Sequence, residues 1–275
     1  MSTLAGRPQR LTVSLVQMNV SLGKPYRNLS QAVKLIGRDL REPTDLILLP
    51  EMWSTGYDFP HFPRLAASSE PLLARLQEIA SQRQAAIGGT MLEQDGNHFY
   101  NTFLLINQNG NIAARYRKIH LFSLMDEPDY FTPGDTPVMT RIKDIPVGLI
   151  TCYDLRFPEL SRTLALAGSQ LLLVCAQWPT NRARHWQALL RARAIENQFF
   201  VAACNRIGKG AEHQFPGLSS IHDPWGERLL QAPRKQGVFT CTLNFSRLAA
   251  VRKLINIYAD RCPDAYQQEF STGKI

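Results

Sequence analysis

The chain is 275 residues long, with 44% apolar residues, 20% charged residues and a formal net charge of +8. That balance suits a chain burying a sizeable core as one large domain or at most two, and it excludes wholesale disorder. No stretch approaches the roughly 18 consecutive apolar residues of a membrane span, and the opening "MSTLAGRPQRLTVSL" lacks the hydrophobic core and cleavage site of a signal peptide.

The five cysteines (Cys152, Cys175, Cys204, Cys241 and Cys262) are odd in number, widely spaced and without a CxxC pair. They fit neither a disulfide framework nor a thiolate metal site, and a reducing cytoplasmic location is expected. The 31 Lys+Arg outnumber the 23 Asp+Glu, but they are scattered. Their densest group, "NRARHWQALLRARAIEN", reads as the solvated side of an amphipathic helix, so neither nucleic acid nor membrane is an expected partner. The charge remains compatible with a small anionic substrate.

The elements alternate along one continuous α/β unit, with a core over about 10–255 and no solenoid repeat or low-complexity linker. "RLTVSLVQMNV" alternates as a first strand, and "NLSQAVKLIGRDLRE" follows with helical spacing at Leu29, Val33, Ile36 and Leu40. "TDLILLPE" is a short apolar run ending in a carboxylate, the pattern of a strand buried on both faces. A helix around 71–84 and a strand "AAIGGTML" come next. A hairpin then turns at Asn109-Gly110 from "HFYNTFLLINQ" into "NIAARYRKIHLF". "IPVGLITC" is a buried strand, and "FPELSRTLALAG" a helix that starts near Pro158 and stops at Gly168. "SQLLLVCA", a helix over 182–197 and "FFVAACNR" continue the alternation. "GLSSIHDPWGERLL" and "GVFTCTL" read as strands, the first pair joined at Pro-Trp-Gly.

Such alternation implies sheets covered by helices, with active residues at the carboxyl ends of strands. Glu51, Lys118 and Cys152 stand at or near such ends. A cysteine nucleophile needs a base or a nearby cation, and a carboxylate serves as that base when burial raises its pKa. A lysine beside the pair favours the thiolate and then holds the oxyanion of a tetrahedral intermediate. Taken singly, each residue has a plain structural explanation: Glu51 as a helix cap, Lys118 as a strand-end surface lysine, Cys152 as core filler.

The segments "LLPEMWSTGY", "RYRKIHLF" and "TCYDLRFPEL" resemble, in that order, the three recognition elements of the nitrilase, or carbon–nitrogen hydrolase, superfamily. The resemblance runs along nearly the whole chain. It implies a four-layer αββα sandwich in which Glu51 is the general base, Lys118 the oxyanion-stabilising cation and Cys152 the nucleophile. It adds a second glutamate, Glu127, nine positions after Lys118, and assigns part of the oxyanion site to the backbone N–H of Tyr153. No cofactor and no metal are expected. A homodimer or higher homo-oligomer is implied, built on helices that include the one after Cys152, with the C-terminal tail 256–275 at a subunit interface.

Within the superfamily, "CAQWPTNRARHWQALLRARAIENQFFVAACNRIG" looks most like bacterial omega-amidases, which hydrolyse the distal amide of dicarboxylic acid monoamides of the 2-oxoglutaramate and succinamate type. The expected partner is therefore a small-molecule amide. Deaminated-glutathione amidases and other linear-amide or carbamoyl hydrolases are the alternative; the former usually carry Thr-Gly-x-Ala-His-Trp in that loop. A silent interaction or sensor protein on the same scaffold is the alternative of another class. The chain departs from close relatives in "LMDEPDYF", where a His often follows the Glu. A distal carboxylate requires a cation, for which Arg182 and Arg184 are candidates. Trp178 and Tyr57 are candidate pocket walls, with Phe59 a similar loop residue. Arg156 and Glu159 read as braces of a helix start or a subunit contact, and His120 and His185 as packing histidines.

Overall fold

In the computed structural model, which describes residues 9–41, 43–210 and 212–266, the apolar runs of the sequence become fourteen strands among the described residues. They are β1 (Arg10–Gln17), β2 (Leu46–Leu48), β3 (Ala86–Asp95), β4 (His98–Ile106), β5 (Ile112–Arg117), β6 (Val138–Ile142), β7 (Ile145–Thr151) and β8 (Leu171–Ala176). The rest are β9 (Phe200–Asn205), β10 (Ile207–Lys209), β11 (Gln214–Pro216), β12 (Ser220–His222), β13 (Arg228–Gln231) and β14 (Gly237–Asn244).

Two six-stranded sheets result, ordered β14-β1-β2-β3-β4-β5 and β6-β7-β8-β9-β12-β13, with β10 and β11 forming a separate ribbon. Each sheet has a parallel trio at its centre, β1-β2-β3 in one and β7-β8-β9 in the other. Antiparallel strands flank both trios in the same pattern. The central strands are buried on both faces and therefore read as continuous apolar runs, such as "LLLVCA".

The two sheets and their covering helices make the four layers of an αββα sandwich. Helices Pro25–Asp39 and Ser69–Arg83 cover the first sheet through Leu35, Ile36, Leu72, Leu76 and Ile79, which pack on Val16, Ile47 and Ile87. Helices Pro158–Leu166 and Ala183–Asn197 cover the second through Leu160, Leu164, Trp186 and Leu190. Gly148 marks the close approach there, since a Cβ on it would meet Leu164. By alternation Val147 and Leu149 on β7 point the other way, toward the first sheet. No helix among the described residues is long and apolar enough to cross a membrane.

The expected strands and helices form close to their expected bounds. The half-exposed edge strand β6, the β10–β11 ribbon and the helix Ser246–Leu254 were not anticipated. The arginine-rich helix is also less solvated than expected. Trp186, Leu190, Arg193, Ala194 and Asn197 share its inner face, and Arg193 is 4% exposed. Of the expected C-terminal tail, residues 267–275 lie outside the described residues.

Leu149 is fully buried between the sheets. Replacing it with Ala removes about 2–5 kcal/mol of stability, the usual cost of a core Leu→Ala cavity. Urea unfolding measures this as a lower midpoint at unchanged slope; a midpoint equal to that of the wild type contradicts the packing.

Candidate active site

Both parallel trios present their carboxyl ends at the same end of the sandwich, and the chain turns sharply there. Glu51 follows β2, and its main-chain N–H reaches Ala176 O at the end of β8 (3.4 Å). Cys152 follows β7. Because β5 runs antiparallel to β4, and β4 to β3, the end of β5 lies at this edge as well and delivers Lys118. Three site turns carry left-handed backbone at residues other than glycine: Met52 (φ 42°), Asp126 (φ 57°) and Cys152 (φ 44°). Such conformations cost on the order of 1–3 kcal/mol each and persist where the surroundings over-determine them. Gly134 closes the Lys118 turn: its N–H donates to Lys118 O (2.8 Å), and a Cβ there would stand 2.2 Å from Arg117 O.

Glu51, Lys118 and Glu127 meet in a buried cluster, each at most 1% exposed. The Lys118 ammonium donates to Glu51 Oε1 (2.9 Å) and to Glu127 Oε1 (2.7 Å). Neutral donors satisfy the remaining carboxylate positions. Asn101 Nδ2 donates to Glu51 Oε1 (2.9 Å), and the Gln177 main-chain N–H to Glu51 Oε2 (2.8 Å). Tyr57 OH donates to Glu127 Oε1 (3.0 Å), and the Phe122 N–H to Glu127 Oε2 (3.3 Å). An ammonium has three N–H bonds, so Lys118 keeps one for a further acceptor.

These charges set the titration of the site. Burial alone lowers the Lys118 pKa, but the carboxylates of Glu127 and Glu51 outweigh it and leave the ammonium raised. Burial pushes the Glu127 carboxyl up; Lys118 pulls against it and Glu51 adds to the rise. Burial also pushes the Cys152 thiol up, and Glu51 and Glu127 add to that against the opposing pull of Lys118. Lys118 does pull toward the thiolate, as expected, but burial and the two carboxylates outweigh it. Its charge is already shared by two carboxylates, and the thiol rests protonated.

A second carboxylate, Asp154, fixes the nucleophile turn. Fully buried, it accepts from Thr151 N (2.9 Å), Tyr116 OH (2.6 Å), His120 N (3.0 Å) and His120 Nδ1 (2.8 Å). Tyr116 and His120 flank Lys118 in sequence, so one side chain ties the lysine segment of the first sheet to the cysteine turn of the second. From the other side Arg193 donates to Leu155 O (3.1 Å) and Arg156 O (3.3 Å), closing the carbonyls of that turn.

Around Cys152 lies a cavity of about 20 Å³ lined by Glu51, Glu127, Tyr57, Tyr153, Trp178 and Arg182, all expected at the site. Trp178 Nε1 donates to Arg182 O (2.8 Å), and the Arg182 guanidinium lies 5.2 Å from the centre of the Phe122 ring. Arg184 is not there. It lines a separate cavity with Thr180 and His185, because positions two apart at a helix start point to nearly opposite sides. Arg156, expected as a brace of a helix start or a subunit contact, lines the cavity at Cys152 4.8 Å over Trp178 and donates to His185 Nδ1 (3.3 Å). Sequence reasoning also missed Asn101, Asp154 and Gln177. A lone Asn inside the apolar "FYNTFLL" was the available signal for the first. For Gln177, the signal was its place after "LLLVCA", matching that of Glu51 after "LILLP".

A family model described as carbon-nitrogen hydrolase matches residues 12–253. The chain is 36% identical over 257 residues to the 2-oxoglutaramate amidase of Bacillus subtilis (strain 168), covering 93% of this chain and 99% of that protein. It is 31% identical over 274 residues to the chloroplastic omega-amidase of Arabidopsis thaliana, covering 94% and 74% of the two. Among solved structures it resembles a CN-hydrolase superfamily protein of Xanthomonas campestris with an arsenic adduct in the active site. That match has a TM-score of 0.87 at 29% identity, over 96% of this chain and 100% of that one. An amidase from Nesterenkonia sp. AN1, seen with the acetamide moiety of fluoroacetamide added to its active-site cysteine, matches with a TM-score of 0.81. Identity there is 25%, over 95% and 100% of the chains.

Removing Glu127 removes one of the charges that hold the thiol up. Glu127→Gln therefore makes iodoacetamide alkylation of Cys152 faster at pH 7 than in the wild type, even as turnover falls. Peptide mass spectrometry across pH follows both proteins. The wild-type midpoint lies above the free-cysteine value of about 8.5, and an unchanged or slower reaction in Glu127→Gln contradicts the charge assignment.

Proposed function

The chain belongs to the carbon–nitrogen hydrolase family and hydrolyses amide C–N bonds, and we propose that it is a cysteine amidase of short dicarboxylic acid monoamides of the 2-oxoglutaramate and succinamate type. The observation that carries this reading is the Lys118 ammonium held between Glu51 and Glu127, within electrostatic reach of the Cys152 thiol.

In this reading Cys152 gives its S–H proton to Glu51 as its sulfur bonds to the amide carbon. The carbonyl oxygen becomes an oxyanion, taken up by the third N–H of Lys118 and by the Tyr153 main-chain N–H. Collapse breaks the C–N bond, Glu51 returns the proton to the departing nitrogen, and ammonia leaves a thioester. Water, deprotonated by Glu51, adds to the thioester carbon; the sulfur then departs, takes back its proton, and the acid is released. Glu127 keeps Lys118 turned toward the oxyanion. The covalent adduct on the active-site cysteine of a Nesterenkonia amidase variant supports a nucleophilic role for the corresponding cysteine here.

The distal carboxylate of the substrate meets Arg182 and Arg156. Both guanidiniums line the catalytic cavity, and neither has a carboxylate partner among the described residues. The cavity as it stands has a volume of about 20 Å³, too small for a diacid monoamide, since one water alone needs about 10–15 Å³ of it. Substrate entry therefore displaces the flexible Met125 and Arg182 side chains that line it.

Ammonia release is the measurement, compared across 2-oxoglutaramate, succinamate, deaminated glutathione and a neutral amide of matching length. The short diacid monoamides are preferred, and Arg182→Ala lowers their kcat/KM about 10-fold or more, as loss of a charge-assisted hydrogen bond does. The same variant leaves the neutral amide nearly unaffected. Equal rates on neutral and diacid amides, or a preference for deaminated glutathione, overturn the substrate assignment.

A further inference from the structure

Beside the catalytic cavity lies a larger one of about 370 Å³. Tyr57, Met125 and Gln177 line both and form their common wall. The distinctive group in the larger cavity is Arg206, a guanidinium only 3% exposed. Its hydrogen bonds go to neutral oxygens: Gln177 Oε1 (2.8 Å), Asn19 Oδ1 (3.0 Å), Val20 O (2.9 Å) and Lys209 O (3.2 Å). The Phe215 ring covers one face at 4.3 Å, and Nε has no partner. Burial without a counter-charge lowers its pKa to about 10.

Folded proteins pair their buried charges, and a buried donor left unmade is costly. Arg206 has neither a carboxylate partner among the described residues nor a complete set of acceptors. What it lacks is an anion. Asp126, Glu212 and Lys209 also line the cavity, and all three are exposed to water, where their charges are screened alike, which leaves the buried Arg206 as the dominant local charge. Its Nη1 has one acceptor, Gln177 Oε1, which leaves an N–H bond for a charge-assisted hydrogen bond to a carboxylate oxygen.

We propose that this second cavity binds a small carboxylate anion, held by Arg206 and Lys209, at a site separate from the one that receives the amide at Cys152. The site is wired to the catalytic base. Arg206 holds the Gln177 side-chain oxygen, and the Gln177 side chain and main chain donate to Glu51 O (2.8 Å) and Glu51 Oε2 (2.8 Å). An anion on Arg206 draws on the guanidinium that sets Gln177, and through it Glu51.

The test is calorimetric titration of enzyme whose Cys152 has been alkylated with iodoacetamide, with glutarate as the probe and inorganic phosphate as the comparison. One glutarate binds per chain, more tightly than phosphate. Arg206→Gln weakens it about 10-fold or more, the loss expected of a charge-assisted contact. Lys209→Ala, an exposed position that leaves folding intact, weakens it several-fold, and Arg182→Ala leaves it unchanged. Absence of glutarate binding, tighter binding of phosphate, or indifference to both cavity variants overturns the proposal. Loss of binding in Arg182→Ala overturns it too, because the anion then occupies the catalytic cavity.

Discussion

Everything at the catalytic edge depends on one shared cation. Two buried carboxyl groups, Glu51 and Glu127, divide the ammonium of Lys118, and none of the three reaches water. Removing one partner from such a buried group typically costs about 3–5 kcal/mol, because the charge left behind is neither solvated nor paired. The cluster is tolerable only because Asn101, Tyr57 and two main-chain N–H groups satisfy the remaining oxygens. Its electrostatic consequence is that burial and the two carboxylates push the Cys152 thiol up against the pull of Lys118.

The sandwich exists to hold this arrangement. Glu51 comes from one sheet and Cys152 from the other, so their separation is set by how the two sheets stack. Two cross-sheet links fix it locally. Gln177 binds Glu51 by main chain and side chain, and Asp154 binds both flanks of Lys118 from within the cysteine turn. The apolar layer between the sheets keeps these links dry, where hydrogen bonds to a carboxylate count for more than they do in water. Strain at Met52, Asp126 and Cys152 is the local cost of turning three chain segments toward a single point.

Much of this was legible in the sequence, for identifiable reasons. Strands buried on both faces show as unbroken apolar runs, and a polar residue ending such a run is conspicuous; Glu51 and Cys152 were found that way. Glu127 needed the family motif, because nothing in its local pattern separates it from Asp126 or Asp129. The missed residues are those whose role lies in a long-range partner. Gln177 meets Glu51 across 126 positions and Asp154 meets Tyr116 across 38, and periodicity reports only which face a residue occupies. Arg193 was recoverable in principle, since it sits seven positions after Trp186 on the buried face of its helix. Arg182 and Arg184 looked equivalent as charges and are not equivalent as positions, because the helix begins between them.

In the proposed reaction Cys152 is acylated by an amide substrate while Glu51 moves its proton. Intact-protein mass spectrometry of the enzyme quenched in acid during turnover of succinamate tests it most directly. A thioester at Cys152, with the mass of the substrate less ammonia and absent from Cys152→Ala, is the predicted result. Full turnover by Cys152→Ala, or an acyl group on any other residue, contradicts acylation of Cys152.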